Sequence, residues 1–251
     1  MNQNHTTAPP WYLGRLAGFD TETTGTDVER DRIVSACVVQ IGGNQPAAPA
    51  NWIADPGIDI PEAASRFHGI TTERARKEGR PAGEVVEQVI AALAAVVLSD
   101  IPIVAMNASY DFTILDREAR RHGVQPLVDI VGSDMRVIDP RVLDKHIDQF
   151  RRGKRTLTDL CRHYQVPLDG AHSADADAVA ACRVAWRIAS THGEIGNAHP
   201  KVLHEWQIEW ARQQAEGLAK HFRETPGKEH QADSVRAEWP LIPAQRGGEP
   251  A

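Results

Sequence analysis

Apolar positions in the first part of the chain alternate or run together over short stretches, and further on they recur every three or four residues. Residues 13–20 read as a strand, residues 32–41 as a second strand rich in β-branched side chains and closed by Gly42-Gly43, and residues 51–54 as a third ended by Asp55-Pro56-Gly57. Short helices are expected at 61–67 and 72–77, and a stronger one at 84–98, where Val86, Ile90, Leu93 and Val97 form an apolar stripe. Pro102 bars continuation of that helix, so 101–106 reads as a buried strand, and 111–122 is a helix closing on Gly123. Residues 128–131 and 137–138 are strand-like, the second ending at Asp139-Pro140, and helices are expected at 156–164 and 173–190. Strands first, then helices alternating with further strands, predict an α/β fold, a mixed sheet flanked by helices.

Past Gly193 the pattern changes. Leu203, Trp206, Trp210 and Leu218 lie at near-helical spacing and predict a C-terminal helical extension, an amphipathic helix within 193–223. Residues 1–12 and the Pro- and Gly-rich 224–251 are expected to be disordered, which leaves 13–192 as the main domain. The two tryptophans fit a helix packed on its own domain, with a surface for a polymerase or other protein partner as the second reading.

Composition narrows the class: 41% apolar and 25% charged residues are ordinary globular usage. The cysteines Cys37, Cys161 and Cys182 are odd in number and far apart, as expected of small core residues in a reducing compartment. The first ten residues have neither the basic cluster nor the apolar run of a leader. The longest apolar stretch, 91–98, is far shorter than the roughly 20 residues of a membrane span, so a soluble cytoplasmic protein is expected. A net charge of −6 argues against a nucleic acid partner until its distribution is considered. Basic residues gather at 74–80, 117–121 and 151–155, and the last run is a candidate contact for the phosphates of an incoming strand.

The acids carry the chemistry. Asp20 and Glu22 lie two apart at the end of an apolar strand, so their carboxylates project from one face. Two such anions repel and are costly to desolvate unless a cation sits between them, and a hard divalent ion such as Mg²⁺ suits an all-oxygen donor set. Asp111 stands where a buried strand hands over to a helix, and His172, Asp175 and Asp177 stand around the start of another. Asp175 and Asp177 point roughly 200° apart on that helix, so only one of them can face a shared site, and helical periodicity does not choose between them.

In order, Phe19-Asp20-Thr21-Glu22-Thr23-Thr24-Gly25, Met106-Asn107-Ala108-Ser109-Tyr110-Asp111 and His172 with Asp177 five residues on resemble the three motifs of the DEDDh exonucleases. That group is the DnaQ-like superfamily, which includes the proofreading subunit of the bacterial replicative polymerase. The resemblance runs over about residues 14–189 and implies a ribonuclease-H-like fold. It also implies a 3′–5′ exonuclease that releases nucleoside 5′-monophosphates with two divalent ions, Mg²⁺ or Mn²⁺. Asp20, Glu22, Asp111 and Asp177 are then the metal ligands and His172 the general base; the choice of Asp177 over Asp175 rests on this resemblance.

The segment from Pro61 to Thr71 is similar to the family's cover for the terminal nucleotide, which makes Phe67 and His68 candidate base contacts, with Thr23, Thr24, Gly25 and Asn107 near the sugar and phosphate. Met106 and Tyr110 stand where many relatives have His and Phe, and these changes leave every ligand in place. Tyr164 lies too far before Asp177 to play the tyrosine of a sister branch and reads as helix packing. The implied substrate is a single-stranded or frayed 3′ end, DNA in preference to RNA. The rival readings are an RNA-directed relative and a noncatalytic binding or polymerase-docking module.

Overall fold

The β-branched and apolar runs of the N-terminal third pair into a meander: β1 (Arg15–Thr23) with β2 (Ile33–Gly42), and β2 with β3 (Ala48–Asp55), both antiparallel. The computed structural model describes residues 9–168 and 173–244. In it β4 (Arg80–Pro81) adds to β3, while β5 (Ile103–Val104) and β6 (Val137–Ile138) extend the other edge in parallel, giving the order β4-β3-β2-β1-β5-β6. This is the expected mixed sheet.

Helices cover both faces because β1 alternates between them. Ala17 and Phe19 join the core under α3 (Ala82–Leu98) and α4 (Ala108–His122), where Phe19 meets Phe112 edge-on at 5.4 Å. Leu16 points into the opposite layer, built from α6 (Pro140–Ile147), α7 (Leu157–Tyr164) and α8 (Ala174–Thr191). Gly18, on that second face, sets the distance between β1 and α8: a Cβ placed there would sit 2.5 Å from the Ala178 carbonyl oxygen. Beyond β3 lie two short helices, α1 (Glu62–His68) and α2 (Thr72–Glu78), as the periodicity predicts.

The structure departs from the expectations at one place and adds to them at two. Residues 128–131 fall in a helix, α5 (Leu127–Val131), entered from Pro126; a four-residue apolar run does not by itself separate strand from helix. Asp139-Pro140 ends β6 but also starts α6, with the Asp139 carboxylate accepting from the Arg141 amide and Pro140 in the first turn. Parts of both ends expected to be disordered take up structure. Trp11 is buried, with its indole N–H on the Ile195 carbonyl at 2.9 Å. In the tail, Trp239 is buried, the Ile242 amide donates to Thr113 Oγ1 at 3.0 Å, and Arg117 donates to the Pro243 carbonyl.

The C-terminal extension is a short α9 (Gly193–Asn197) and a long α10 (Pro200–Glu224). Trp206 and Trp210 pack inward on the second apolar layer, the first of the two readings made from the sequence. Gln207, fully buried in α10, donates to the Val137 carbonyl at 3.0 Å and accepts from the Asp139 amide at 2.7 Å. The Val137 amide donates to His204 Nδ1 at 3.1 Å. Side chains of a helix thus satisfy the open backbone of β6, a sheet edge that would otherwise invite another strand. Among the described residues, no helix is long and apolar enough to cross a membrane.

The close approach at Gly18 generates a prediction. Gly18→Ala forces α8 away from β1 and is expected to lower stability by about 1–3 kcal/mol, the usual scale for overpacking. Urea denaturation checks it; an unchanged midpoint would show that α8 does not depend on that approach.

Candidate metal centre and active site

β1 delivers Asp20 and Glu22 to the sheet end on the face that packs against α8, continuing the register of Leu16 and Gly18. α8 starts from Ser173, and its first turn carries Asp177 toward them. One carboxylate oxygen from each of Asp20, Glu22 and Asp177 lies within 4.8 Å of the others. Asp175, two residues earlier, is exposed, so the structure separates two acids that periodicity leaves equivalent.

Asp111 comes from the other side of the sheet, in the first turn of α4, and is buried. Its Oδ1 accepts from the Thr21 amide at 3.0 Å and the Thr21 hydroxyl at 2.7 Å, which fixes it against the residue between Asp20 and Glu22. The start of α4 is held in turn by Asp139, whose carboxylate accepts from the Asn107 and Ala108 amides at 3.1 and 2.9 Å. Sequence reading missed this buried acid and saw only a strand end; an Asp immediately before Pro is the signal for a helix cap.

Crowding alters the acids' proton affinity. Burial first, then the charges of Asp111, Asp177 and Glu22, hold Asp20 well above the ordinary carboxylate range. Burial and the charges of Asp177 and Asp111 push Glu22 up to about 7. Burial likewise pushes Asp111 up to about 7, against the Thr21 hydrogen bonds, which favour its charged form. Such a set is unfavourable as bare anions and becomes favourable around a cation.

The remaining candidates are spread around this centre. Thr23 Oγ1 donates to the Gly25 carbonyl at 2.7 Å and lies 2.6 Å from the Tyr110 hydroxyl, which donates to the same carbonyl at 2.6 Å. Tyr110 therefore ties the first motif to the second, a role its place in the sequence did not disclose. Thr24 is 2% exposed, and its hydroxyl donates to Asp31 at 2.7 Å and accepts from the Arg32 amide at 3.0 Å. The Thr24 hydroxyl, expected near the sugar, is thus engaged within the loop. Phe67 is 60% exposed at the end of α1. His68 accepts the Ile70 amide on Nδ1 at 3.2 Å, and burial lowers its pKa against the opposing Thr23 backbone. Asn107 caps α4 in a left-handed conformation, φ 61°, and accepts from Arg141. His172 lies outside the described residues.

All three basic clusters are paired at least in part: Arg74 binds Glu78, Arg76 binds Asp59 and Arg80 binds Glu84. Arg117 and Arg120 bind Asp116, and Arg117 also binds Glu29. Arg151 and Arg155 converge on the buried Asp144, to which Tyr164 also donates at 2.8 Å, so Tyr164 is packing as expected.

Residues 17–185 match RNase_T, an exonuclease family. The chain belongs to that family. As an RNase_T exonuclease domain it is similar in fold to E. coli exonuclease I in complex with a dT13 oligonucleotide, at TM-score 0.58 and 18% identity over 72% of this chain and 42% of that one. The zinc-bound E. coli exonuclease I–single-stranded DNA complex aligns at TM-score 0.58 and 16% identity, covering 82% of this chain and 45% of that one. Exonuclease I from Methylocaldum szegediense aligns at TM-score 0.57 and 18% identity, again over 82% and 45%. The chain thus spans less than half the length of these structures. No curated protein sequence matches it.

The raised carboxyl pKa values predict a pH signature in chelator. A group such as Glu22, raised from 4.5 to about 7 by folding, contributes stability that is fully present below 4.5 and lost as pH rises through about 7. Asp20→Asn removes one of the repelling charges, so its stability relative to the wild type should increase from pH 4.5 to 7.5 without metal. Paired thermal melts check this; a difference that shrinks with pH would mean the acids do not repel as placed.

Proposed function

We propose that this domain is a 3′–5′ exonuclease acting on single-stranded DNA ends, and the observation that carries the reading is the meeting of Asp20, Glu22 and Asp177 within 4.8 Å beside the tethered Asp111. The donor set fits divalent ions: every ligand is a hard carboxylate oxygen, and the acids' raised proton affinity marks a site that a cation would relieve. Asp20, Glu22, Asp111 and Asp177 would hold two Mg²⁺ or Mn²⁺ ions, whose chemistry is the activation of water and the stabilisation of the leaving 3′ oxygen.

The chain's own groups perform the rest. Thr21 and Asp139 keep Asp111 and its helix in place, so the carboxylates do not reorganise as a phosphodiester enters. His172, by the family resemblance, takes the proton of the attacking water, a task suited to an imidazole with an unperturbed pKa of about 6.5. Phe67 presents an exposed ring on which a terminal base stacks without regard to sequence. Thr23 and Gly25, tied to Tyr110, form the rim near the sugar, with His68 and Asn107 at its margins. The relatives crystallised with single-stranded DNA support the choice of substrate.

Digestion of 5′-labelled single-stranded DNA, duplex DNA and short RNA with Mg²⁺, Mn²⁺ or chelator tests the reading. Asp177→Asn should nearly abolish hydrolysis with the fold intact, whereas Asp175→Asn stays within a few-fold of wild type. His172→Ala should lose roughly 10² to 10⁴ in rate while keeping metal binding. Chelator-resistant digestion would refute the metal assignment, reversal of the two aspartates would refute the third motif, and preferential digestion of RNA would transfer the reading to an exoribonuclease.

A further inference from the structure

A long groove lies between α6 and α10, away from the acids. Its wider part, about 930 Å³, is lined by Lys145, His146, Arg151, Arg152, Arg155 and His221 with no Asp or Glu among its lining residues, in a chain of net charge −6. Asp144, buried beneath, neutralises part of the positive charge through Arg151 and Arg155, while Glu209 and Glu216 of α10 are engaged by Arg212. Burial first, then the charges of Arg141 and Arg155, lower the Lys145 pKa.

Aromatic surface accompanies the charge. Phe150 is 86% exposed, an unusual position for a large apolar ring, and Trp210 stacks on His146 at 3.7 Å within the groove wall. A neighbouring cavity extends the groove to the start of α4, the helix that carries Asp111. A second cavity of about 310 Å³ shares Lys145, Gln214 and Leu218 with the first and reaches Asn107, Ser109 and Arg141. Asn107 caps α4 four residues before Asp111.

We infer that this groove binds the upstream part of a single-stranded nucleic acid whose 3′ end lies at the acidic centre, with Arg152 on a phosphate and Phe150 stacked on a base. Cations with interleaved aromatic faces are the chemistry of sequence-tolerant single-strand binding. A double helix is too wide and too stiff to place its bases on a ring projecting from one wall. The inference rests on the exonuclease reading for the position of the 3′ end, and C-terminal helix α10 becomes one wall of the strand path.

The test uses the full chain and a 5′-fluorescein oligothymidylate of roughly 20 nucleotides, with anisotropy read in chelator so that the strand survives. Phe150→Ala and Arg152→Ala are both exposed positions and should leave the melting temperature in place. Each is expected to weaken binding about fivefold or more, and Arg152→Ala should also make the plot of log affinity against log salt shallower by about 0.7, one phosphate contact on a single strand. In digestion assays the ratio of kcat/KM for the long strand to that for a dinucleotide should fall in both variants. Wild-type affinity and salt slope in both variants would overturn the groove. Failure of the wild type to bind the strand would overturn it as well and leave the surface to an acidic protein partner. Binding that depends on Arg152 and Phe150 without any digestion would support the groove and defeat the exonuclease reading.

Discussion

Four carboxylates are brought to one end of a sheet, and their mutual repulsion is the constraint around which the rest is arranged. An isolated buried anion would be neutralised by protonation, and the raised proton affinities of Asp20, Glu22 and Asp111 show how far this set is driven that way. Opposing forces come from packing and from oriented donors. Gly18 lets α8 approach β1 and brings Asp177 in, while the Thr21 amide and hydroxyl hold Asp111. The scaffold's stability is thereby committed to keeping like charges together, an arrangement that makes sense around cations.

The C-terminal segment belongs to the same arrangement. Trp239 reaches Asp139 through its indole N–H at 3.3 Å, Asp139 accepts the first amides of α4, and α4 carries Asp111. α10 closes the edge at β6 with Gln207 and His204. A tail that looks dispensable by composition therefore supports the second motif from behind, and α10 faces, across a groove, the cations of α6 and the segment that follows it.

Much of this was legible in the sequence, for physical reasons. Long periodic segments such as β1, β2 and α3 were read correctly because one buried face imposes a period on many residues. The acids stood out only together: an isolated Asp-x-Glu at a strand end is more often a polar turn, helical period leaves Asp175 and Asp177 equivalent, and it is the order of three acid-bearing segments that resembles a family. What was not legible depends on contacts far apart in the chain. Asp139 meets Asn107 and Trp239, Tyr110 meets Gly25, and Thr24 is turned inward by Asp31, none of which a local pattern encodes. The apolar run in α5 was too short to show a period, and the Pro- and Gly-rich tail conceals one anchoring tryptophan.

The central claim, that these acids exist to hold cations, predicts coupled binding of metal and release of protons. Calorimetric titration of Mn²⁺ into the metal-free protein at pH 6, in buffers of different ionisation enthalpy, measures both at once. The account predicts saturable binding that is lost in Asp20→Asn, with net proton release, since Glu22 and Asp111 titrate near 7 before the ion arrives. Absence of binding, or binding with no protons released, would contradict it.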